Sequence, residues 1–253
     1  MSARAGGISQ GPYAHCNLGD HVQDDAPAVA HNRSLFAAAL QARPVWMTQV
    51  HGNRVIRLTG DADFLGPHGQ VVQPEADGAL STEPGLACTV MVADCLPVLL
   101  AAPEGRGVAA LHAGWRGLAG AGSMQGQGIV HTGVAALCEA SSCDPADLRA
   151  WLGPCIGPAH FEVGADVLTG FGVDPQAARG HPRFMPRVPL GEAEAGAAKW
   201  LADLPGLARD TLGCLGVTRV SGGAWCTVSD ASRFFSFRRD RVTGRQAAAI
   251  CLR

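Results

Sequence analysis

The sequence predicts an α+β fold of layered mixed β-sheets with flanking helices, and three observations support this prediction. Hydrophobic residues make up 47% of the 253 residues and charged residues only 17%, so the chain has enough apolar surface for a folded core. Short apolar runs broken by Gly, Pro or Asp recur along it, as β-strands do. Helical periodicity is confined to a few stretches between groups of strands, which favours α+β over a doubly wound parallel sheet.

The first half of the chain contains most of the predicted strands. Apolar runs at 46–50 and 54–58 flank a His-Gly-Asn step, which predicts a strand, a turn and a second strand. A helix is predicted within 129–140, where apolar residues recur at three- and four-residue steps. Four further runs are apolar enough to form strands of one sheet with a buried face: 78–82, 86–92, 96–102 and 107–112.

The second half alternates in the same way. We expect one or two helices at 195–215, interrupted at Pro205, and a helix at 165–171. Two segments are predicted surface loops, 60–76 and the Gly-rich 119–128, and since no linker divides the chain we expect a single domain over residues 1–253. The remaining predicted elements are strands, at 148–153, 160–163, 217–221, 233–237 and 246–252.

Charge and cysteine content exclude several classes of protein. A formal net charge of −2 gives no broad attraction to nucleic acid or to an anionic membrane surface. The longest apolar runs are too short to span a bilayer, and the first residues lack the apolar core of a signal peptide. The nine cysteines form no C-x-x-C pair, which favours reduced thiols, and we therefore expect a cytoplasmic protein.

Three polar side chains follow or end apolar runs and have the chemistry of metal ligands: His51, Cys95 and His112. Two imidazoles and a thiolate suit Zn²⁺, and three protein ligands leave a fourth coordination position open. The same set also resembles a copper site, provided that a weak axial ligand is present. The spacings of 43 and 16 intervening residues match no general zinc rule, so a buried inert thiol and hydrogen-bonded structural histidines remain the alternatives.

The order of short motifs along the whole chain is more specific than any one of them. These motifs lie at residues 6–9, 11–13, 17–22, 24–25, 32–33, 49–52, 76–78, 93–97, 112–117, 153–157, 161–163, 234–240 and 243–245. Together they resemble the YfiH/laccase-domain family, described both as multicopper polyphenol oxidases and as purine nucleoside phosphorylases. The resemblance implies a layered α+β fold and a metal bound by His51, Cys95 and His112, with zinc expected and copper as the alternative.

The resemblance also implies an activity. Members of this family are described as phosphorylases that release the base and ribose 1-phosphate from adenosine, inosine, guanosine and methylthioadenosine. They are also described as adenosine deaminases. A small purine nucleoside and phosphate are therefore the expected partners. Two alternatives stay open, a copper-dependent phenol oxidase and a Cys–His amidase or hydrolase acting on a peptidoglycan precursor. The chain has no H-x-H pair, which disfavours a laccase of the cupredoxin type, and it lacks the H-x-E and P-C-x-x-C pattern of zinc nucleobase deaminases.

Four further residues are candidates for substrate binding. Asp77 and Asp94 are expected either to orient the ligands or to bind a ribose hydroxyl, although an Asp beside a turn often only forms the turn. Arg54 and Arg116 are candidates for phosphate, because a guanidinium matches an oxyanion bidentately. The chain departs from the family pattern at 15–16, 119–128 and 159–160, which affects the expected rim of the cleft rather than the three ligands.

Overall fold

The computed structural model describes residues 1–60, 72–187 and 198–253. Most of the predicted 60–76 loop and the first residues of the predicted 195–215 helices lie outside this range. The helices are α1 (Ala26–Leu40), α2 (Trp115–Ala119), α3 (Ile129–Ser141), α4 (Ala165–Gly170), α5 (Leu204–Cys214) and α6 (Phe237–Asp240). The strands are β1 (Arg43–Val45), β2 (Val55–Leu58), β3 (Gly78–Ser81), β4 (Leu86–Val92), β5 (Leu96–Ala101), β6 (Val108–Ala113), β7 (Arg149–Leu152), β8 (Glu162–Val163), β9 (Phe184–Arg187), β10 (Lys199–Ala202), β11 (Arg219–Gly222) and β12 (Gln246–Cys251).

The strands form three sheets. The largest has six strands in the order β11-β7-β5-β6-β3-β2, with antiparallel pairs in its centre and a parallel pair at each end. A second sheet has the order β1-β4-β12, in which β1 runs parallel and β12 antiparallel to β4. A small antiparallel sheet, β8-β10-β9, completes the set. The α+β prediction with layered mixed sheets is confirmed.

Side-chain alternation along the strands produces the layers. In β6, Ala109 and Leu111 face the cluster that contains the apolar residues of α3 and α5, whereas Val108 and Ala110 face the β1-β4-β12 sheet. On the far side of that second sheet, Met91 packs with Phe36 of α1. The order of layers is therefore α1, three-stranded sheet, six-stranded sheet, then α3 and α5. Each fully buried large apolar side chain in these interfaces stabilises the fold by about 1.5–3 kcal/mol.

Two of the helices begin where the sequence supplies a cap. Asp25 accepts a hydrogen bond from the backbone N–H of Ala28 at the start of α1, and Asp203 accepts one from Gly206 at the start of α5. A proline in the first turn of each helix lacks only an N–H that would have no helical partner there. The predicted interruption at Pro205 is therefore wrong, because this proline begins α5, and the residues before it form strand β10 rather than a helix.

The strand predicted at 46–50 is also wrong. Strand β1 ends at Val45, and beyond it Thr48 makes only an isolated bridge to Glu75. The physical reason is a contact distant in sequence, since the backbone N–H groups of residues 50–52 donate to the side chain of Asp77 instead of to a neighbouring strand. Residues 233–237 do not form a strand either. Phe235 exchanges both backbone hydrogen bonds with the side-chain amide of Gln246, which replaces a strand partner.

The four apolar runs expected in one sheet are divided between two. Strand β4 lies in the β1-β4-β12 sheet and β5 in the six-stranded sheet, so the chain crosses between layers in residues 93–95. The apolar pattern correctly located most elements, within a few residues: β2–β7, α3, α4, β8, β11 and β12. It did not predict helices α1 and α2 or strand β9. No helix among the described residues has the length and apolar character needed to cross a membrane.

Candidate metal centre

Three separate parts of the fold deliver the predicted ligands to one place. His51 lies in the turn between β1 and β2 with φ of 62°, in the left-handed region. Cys95 lies in the step where the chain passes from one sheet to the other, directly before β5. His112 is the fifth residue of β6 and is buried. The ligand atoms of these three side chains all lie within 4.8 Å of one another. Among the described residues, these side chains form a group that could hold a metal ion.

The contacts within this group are close. The Sγ of Cys95 lies 3.6 Å from Nε2 of His51. The rings of His51 and His112 are 4.8 Å apart between centroids and are oriented edge to face, at 74°. Two imidazole nitrogens and a sulfur therefore converge without another side chain between them. This donor set fits zinc or a similar borderline-soft metal ion.

Asp77 organises two of the three ligands. Its carboxylate is fully buried, and one oxygen accepts hydrogen bonds from Nδ1 of His112 at 2.8 Å and from the backbone N–H of His51 at 2.9 Å. The other oxygen accepts from the backbone N–H groups of Val50 and Gly52, at 3.1 and 2.7 Å. An ionised carboxylate only accepts, so Nδ1 of His112 carries a proton and Nε2 is the nitrogen that would coordinate a metal ion. Asp77 thus fits the ligand-orienting alternative, and its four partners leave no oxygen facing the cleft for a ribose hydroxyl.

The electrostatics favour an ionised thiolate. Burial opposes ionisation of Cys95, but the positive charges and hydrogen bonds of His112 and His51 outweigh it and lower the pKa of the thiol to about 6. Burial likewise opposes protonation of His112, while Cys95 and Asp77 stabilise the imidazolium and raise its pKa to about 9. The metal-free centre is therefore a thiolate beside an imidazolium, and a metal ion would replace the protons that hold this negative charge.

A glycine makes room for this arrangement. A Cβ added to Gly114 would lie 2.6 Å from Cδ2 of His51 and 3.1 Å from Sγ of Cys95. A Cβ on Gly117 would lie 2.8 Å from the backbone oxygen of Gly52, next to the same turn. The segment that follows β6 therefore packs against both the ligands and their supporting loop.

The centre lies in the wall of a large cleft. The cleft has a volume of about 870 Å³, which is in the range of small-molecule sites. All three ligand residues line it, together with the aromatic side chains of Trp115, Phe161 and Phe237. A cleft lined both by aromatic and aliphatic side chains and by charged and polar ones is suited to a planar, partly polar small molecule.

Of the other predicted site residues, two line the cleft and one does not. Arg116 lines the cleft as the second residue of α2, and its guanidinium lies over the ring of Trp115 at 4.5 Å. Asp94 also lines the cleft and accepts hydrogen bonds from the hydroxyl of Thr227 and the backbone N–H of Arg238, at 2.5 and 2.6 Å. Arg54 is exposed, donates to the backbone oxygen of Glu75 and does not line the cleft.

Several cleft residues were not predicted as site residues. His21 and Asp20 come from the first 25 residues, and Arg238, Arg241 and Arg245 come from the last 20. All five lie in the motifs 17–22, 234–240 and 243–245 or directly beside them, so the signal was present without an assigned role. They lie more than 200 residues apart in the sequence, and only the folded chain brings them to one cleft.

The departures from the family pattern do not line this cleft. The Gly-rich 119–128 segment folds into the end of α2 and a short 3-10 turn, and none of its residues contributes to the cleft wall. His160 lies on the surface with Nε2 at 2.8 Å from the hydroxyl of Ser229. Cys155 is fully buried, as expected for a packed strand-end residue, and burial raises the pKa of its thiol.

Comparison with known proteins adds independent findings. A family model described as "Multi-copper polyphenol oxidoreductase laccase" matches residues 1–253. A purine nucleoside phosphorylase of Pseudomonas aeruginosa is 42% identical over 252 residues, covering 100% of this chain and 92% of that protein. The Escherichia coli protein named purine nucleoside phosphorylase YfiH is 41% identical over 254 residues, covering 99% and 92%.

Two solved structures are similar over the same length. A Neisseria meningitidis protein superposes with a TM-score of 0.81 at 38% identity, covering 100% of this chain and 92% of its own. YlmD from Geobacillus stearothermophilus superposes with a TM-score of 0.81 at 30% identity, covering 99% and 90%. The likeness therefore extends over the whole chain in sequence and in structure.

Proposed function

This chain belongs to the multi-copper polyphenol oxidoreductase laccase family, the YfiH/laccase-domain family that its motifs resemble, and from that premise we propose that it is a purine nucleoside phosphorylase. The proposed reaction takes adenosine, inosine or guanosine and phosphate to the free base and ribose 1-phosphate, and methylthioadenosine and phosphate to adenine and 5-methylthioribose 1-phosphate. We further propose a metal-dependent adenosine deaminase activity in the same cleft, zinc as the metal, and a single domain over residues 1–253.

One observation carries the proposal more than any other. His51, Cys95 and His112 converge within 4.8 Å in the wall of a cleft of about 870 Å³. A purine nucleoside combines a flat aromatic base with a polar sugar, and this cleft offers both aromatic and polar side chains. The names of the two curated relatives described above point to the same substrate class.

The residues of the chain have distinct parts in the proposed chemistry. His51, Cys95 and His112 would hold the metal, and Asp77 keeps the proton of His112 on Nδ1 so that Nε2 stays free for it. When bound, the metal supplies a Lewis acid that polarises oxygen-containing groups of substrate or water. The buried position of His112 excludes bulk water from one side of this centre. Trp115 and Phe237 provide aromatic surface in the same cleft against which a purine base can stack.

Product identification tests the proposal directly. Purified, zinc-loaded protein is incubated with adenosine, inosine, guanosine or methylthioadenosine, with and without phosphate, and the products are separated by mass. We expect base and ribose 1-phosphate only when phosphate is present, and inosine from adenosine in either condition. Absence of the phosphate-dependent product from all four nucleosides would refute the phosphorylase assignment, whereas absence of inosine alone would remove only the deaminase.

A second candidate is favoured by a specific geometric feature. Cys95, His112 and Asp77 form the order nucleophile, base and orienting carboxylate that Cys–His hydrolases use, and the pKa of the thiol is lowered to about 6. This arrangement supports a hydrolase or amidase that needs no metal, and the family resemblance alone suggests a peptidoglycan precursor as its substrate. Activity that resists a chelator, with a substrate adduct on Cys95 found by mass spectrometry, would establish this alternative.

The copper-dependent phenol oxidase has less support. Laccases of the cupredoxin type need a mononuclear site and a trinuclear cluster, and the sequence has no H-x-H pair to build the latter. We expect copper-loaded protein to oxidise phenols more slowly than zinc-loaded protein turns over any nucleoside. Faster phenol oxidation would reverse this ranking.

A further inference from the structure

Arg245, a cleft residue, is held rigidly by the opposite end of the chain. Its backbone N–H donates to Oδ1 of Asn17 at 2.8 Å, and its carbonyl accepts from Leu18 at 3.0 Å. Its aliphatic stem packs on Gly19, where an added Cβ would lie 2.7 Å from Cγ of the arginine. The side chain therefore enters the cleft in a fixed direction, which lowers the entropy lost when a ligand binds.

The guanidinium of Arg245 has protein partners on one nitrogen only. Nη1 donates to the carbonyl oxygens of Thr243 and Gly244, both at 3.1 Å, while Nε and Nη2 have no partner among the described residues. No carboxylate in the described parts of the chain lies within 4.0 Å of it. Burial lowers the pKa of Arg245, and the negative charges of Cys95 and Asp94 only partly oppose this shift.

Arg238 repeats this arrangement in the same cleft. Its Nη1 donates to the carbonyl oxygens of Glu162 and His160, at 2.9 and 3.5 Å, and its guanidinium lies over the ring of Phe161 at 5.6 Å. It too has no carboxylate within 4.0 Å in residues 1–60, 72–187 and 198–253. Its backbone N–H, by contrast, donates to Asp94, which ties it to the step that contains Cys95.

Several arginines elsewhere in the described structure lie beside a carboxylate, while the partly buried Arg4 and Arg209 each donate from two guanidinium nitrogens to backbone carbonyls. Arg33 lies 3.1 Å from Asp20, Arg183 lies 2.8 Å from Asp210, and Arg239 lies 2.7 Å from Asp240. A partly buried cation without a counter-ion is destabilising, because it loses water and gains no opposite charge. Two such cations lining one cleft indicate that the missing negative charge comes from a ligand.

We propose that Arg245 and Arg238 form an oxyanion subsite that binds inorganic phosphate in the cleft beside Cys95. Each guanidinium has donors left over, and a planar fork of donors matches the oxygens of phosphate. This inference rests on the proposed phosphorylase function for the identity of the anion. In this proposal, Arg245 and Arg238 take the phosphate-binding role that the sequence suggested for Arg54, which lies outside the cleft. Arg116 lines the cleft but does not contact the phosphate.

The test uses the zinc-loaded full chain and the variants Arg245→Gln, Arg245→Lys, Arg238→Gln and, as a control, Arg219→Gln. Arg219 is exposed on β11 and does not line the cleft. We expect Arg245→Gln and Arg238→Gln each to raise the KM for phosphate about 10- to 100-fold, as loss of charge-assisted hydrogen bonds does, with the KM for inosine changed less than about twofold. Arg245→Lys keeps the positive charge but not the planar pair of donors, so we expect its KM for phosphate to lie between those of Arg245→Gln and the unaltered protein. Arg219→Gln should leave the KM values for phosphate and inosine unchanged.

A second measurement separates this proposal from the proposed function. Calorimetric titration of the same proteins with inorganic phosphate alone reports the subsite even if no nucleoside is cleaved, and loss of that binding in Arg245→Gln and Arg238→Gln would support the subsite by itself. Unchanged phosphate affinity in both variants would overturn it, as would a loss confined to Arg54→Gln or Arg116→Gln. Binding of adenosine 5′-phosphate without any binding of free phosphate would also overturn it. If Arg245→Gln does not fold, Arg245→Lys and Arg238→Gln decide the question.

Discussion

Replacement of Asp77 by asparagine tests how the metal centre is organised. The buried carboxylate accepts four hydrogen bonds, three from the backbone of residues 50–52 and one from His112. An asparagine has one carbonyl oxygen, which accepts two of these, while its NH₂ group faces donors. Two donors are then left without a partner, and at about 1–3 kcal/mol each they destabilise the protein by about 2–6 kcal/mol. This is a large share of the roughly 5–15 kcal/mol by which a folded domain is stable.

The same substitution acts on the metal. Without the carboxylate, the proton of His112 is no longer held on Nδ1 and the turn that carries His51 loses its anchor. Loss of an outer partner of a ligating histidine lowers metal affinity by about 10- to 100-fold. Urea unfolding of the metal-free proteins measures the first effect, and competition with a chromophoric zinc chelator measures the second.

The matched control is Glu139→Gln, the same carboxylate-to-amide change at an exposed position of α3. We expect this variant to unfold within about 0.5 kcal/mol of the unaltered protein and to bind zinc equally well. An Asp77→Asn protein that matches the control in both assays would refute the argument that this carboxylate positions the ligands.

Three further predictions concern the ligands themselves. Cys95→Ala removes one of three metal ligands, so we expect severe loss of zinc binding and joint loss of phosphorolysis and deamination, with the fold retained, as calorimetry and product assays will show. In metal-free protein, alkylation of Cys95 by iodoacetamide is expected to rise with pH around 6, because its thiolate forms as the pH passes the lowered pKa; peptide mass spectrometry follows it. Gly114→Ala places a methyl group 2.6 Å from the His51 ring and is expected to weaken zinc binding, measured by chelator competition.

The two substitutions each have a control in the same chain. Cys214→Ala changes an exposed thiol and should leave zinc binding and activity intact. Gly213→Ala adds a methyl group with nothing within 4 Å in helix α5, and we expect neutral or slightly increased stability, up to about 1 kcal/mol. Retained activity in Cys95→Ala, alkylation of Cys95 that begins only above pH 8, or unaltered zinc affinity in Gly114→Ala would each contradict the corresponding prediction.

The sequence predicted the strands well where the backbone pairs with its neighbours. Apolar runs such as that of β4 satisfy their polar backbone groups within a sheet, so side-chain patterning alone determines them. The errors at 46–50 and 233–237 have a common cause. There the side chains of Asp77 and Gln246, distant in sequence, take the hydrogen bonds of the backbone, and no local pattern contains that information.

The metal ligands of the candidate site could be predicted from the sequence, whereas the roles of the other residues lining the cleft could not. His51, Cys95 and His112 have side chains whose chemistry is visible in the sequence, and the motifs around them resemble one family. Arg245 and Arg238 lie within such motifs, but an arginine has no chemistry in the sequence that assigns it a role, because arginine is common at surfaces. Their meeting in one cleft, each with guanidinium nitrogens left without a partner among the described residues, is a property of the fold.

The meeting of the two chain ends at the cleft has a consequence for biosynthesis. Leu18 donates to Arg245, and β12 pairs with β4 along six residues, so the wall of the cleft closes only when residues near 250 have been made. At about 5–20 residues per second, the segment around Asn17 waits roughly 10–50 s on the ribosome for its partner. Until the β12 segment is made, the cleft beside Cys95 lacks the wall that Arg245 supplies, and one edge of β4 lacks its partner strand. We therefore expect a nascent chain to form the complete cleft only after the β12 segment has been synthesised.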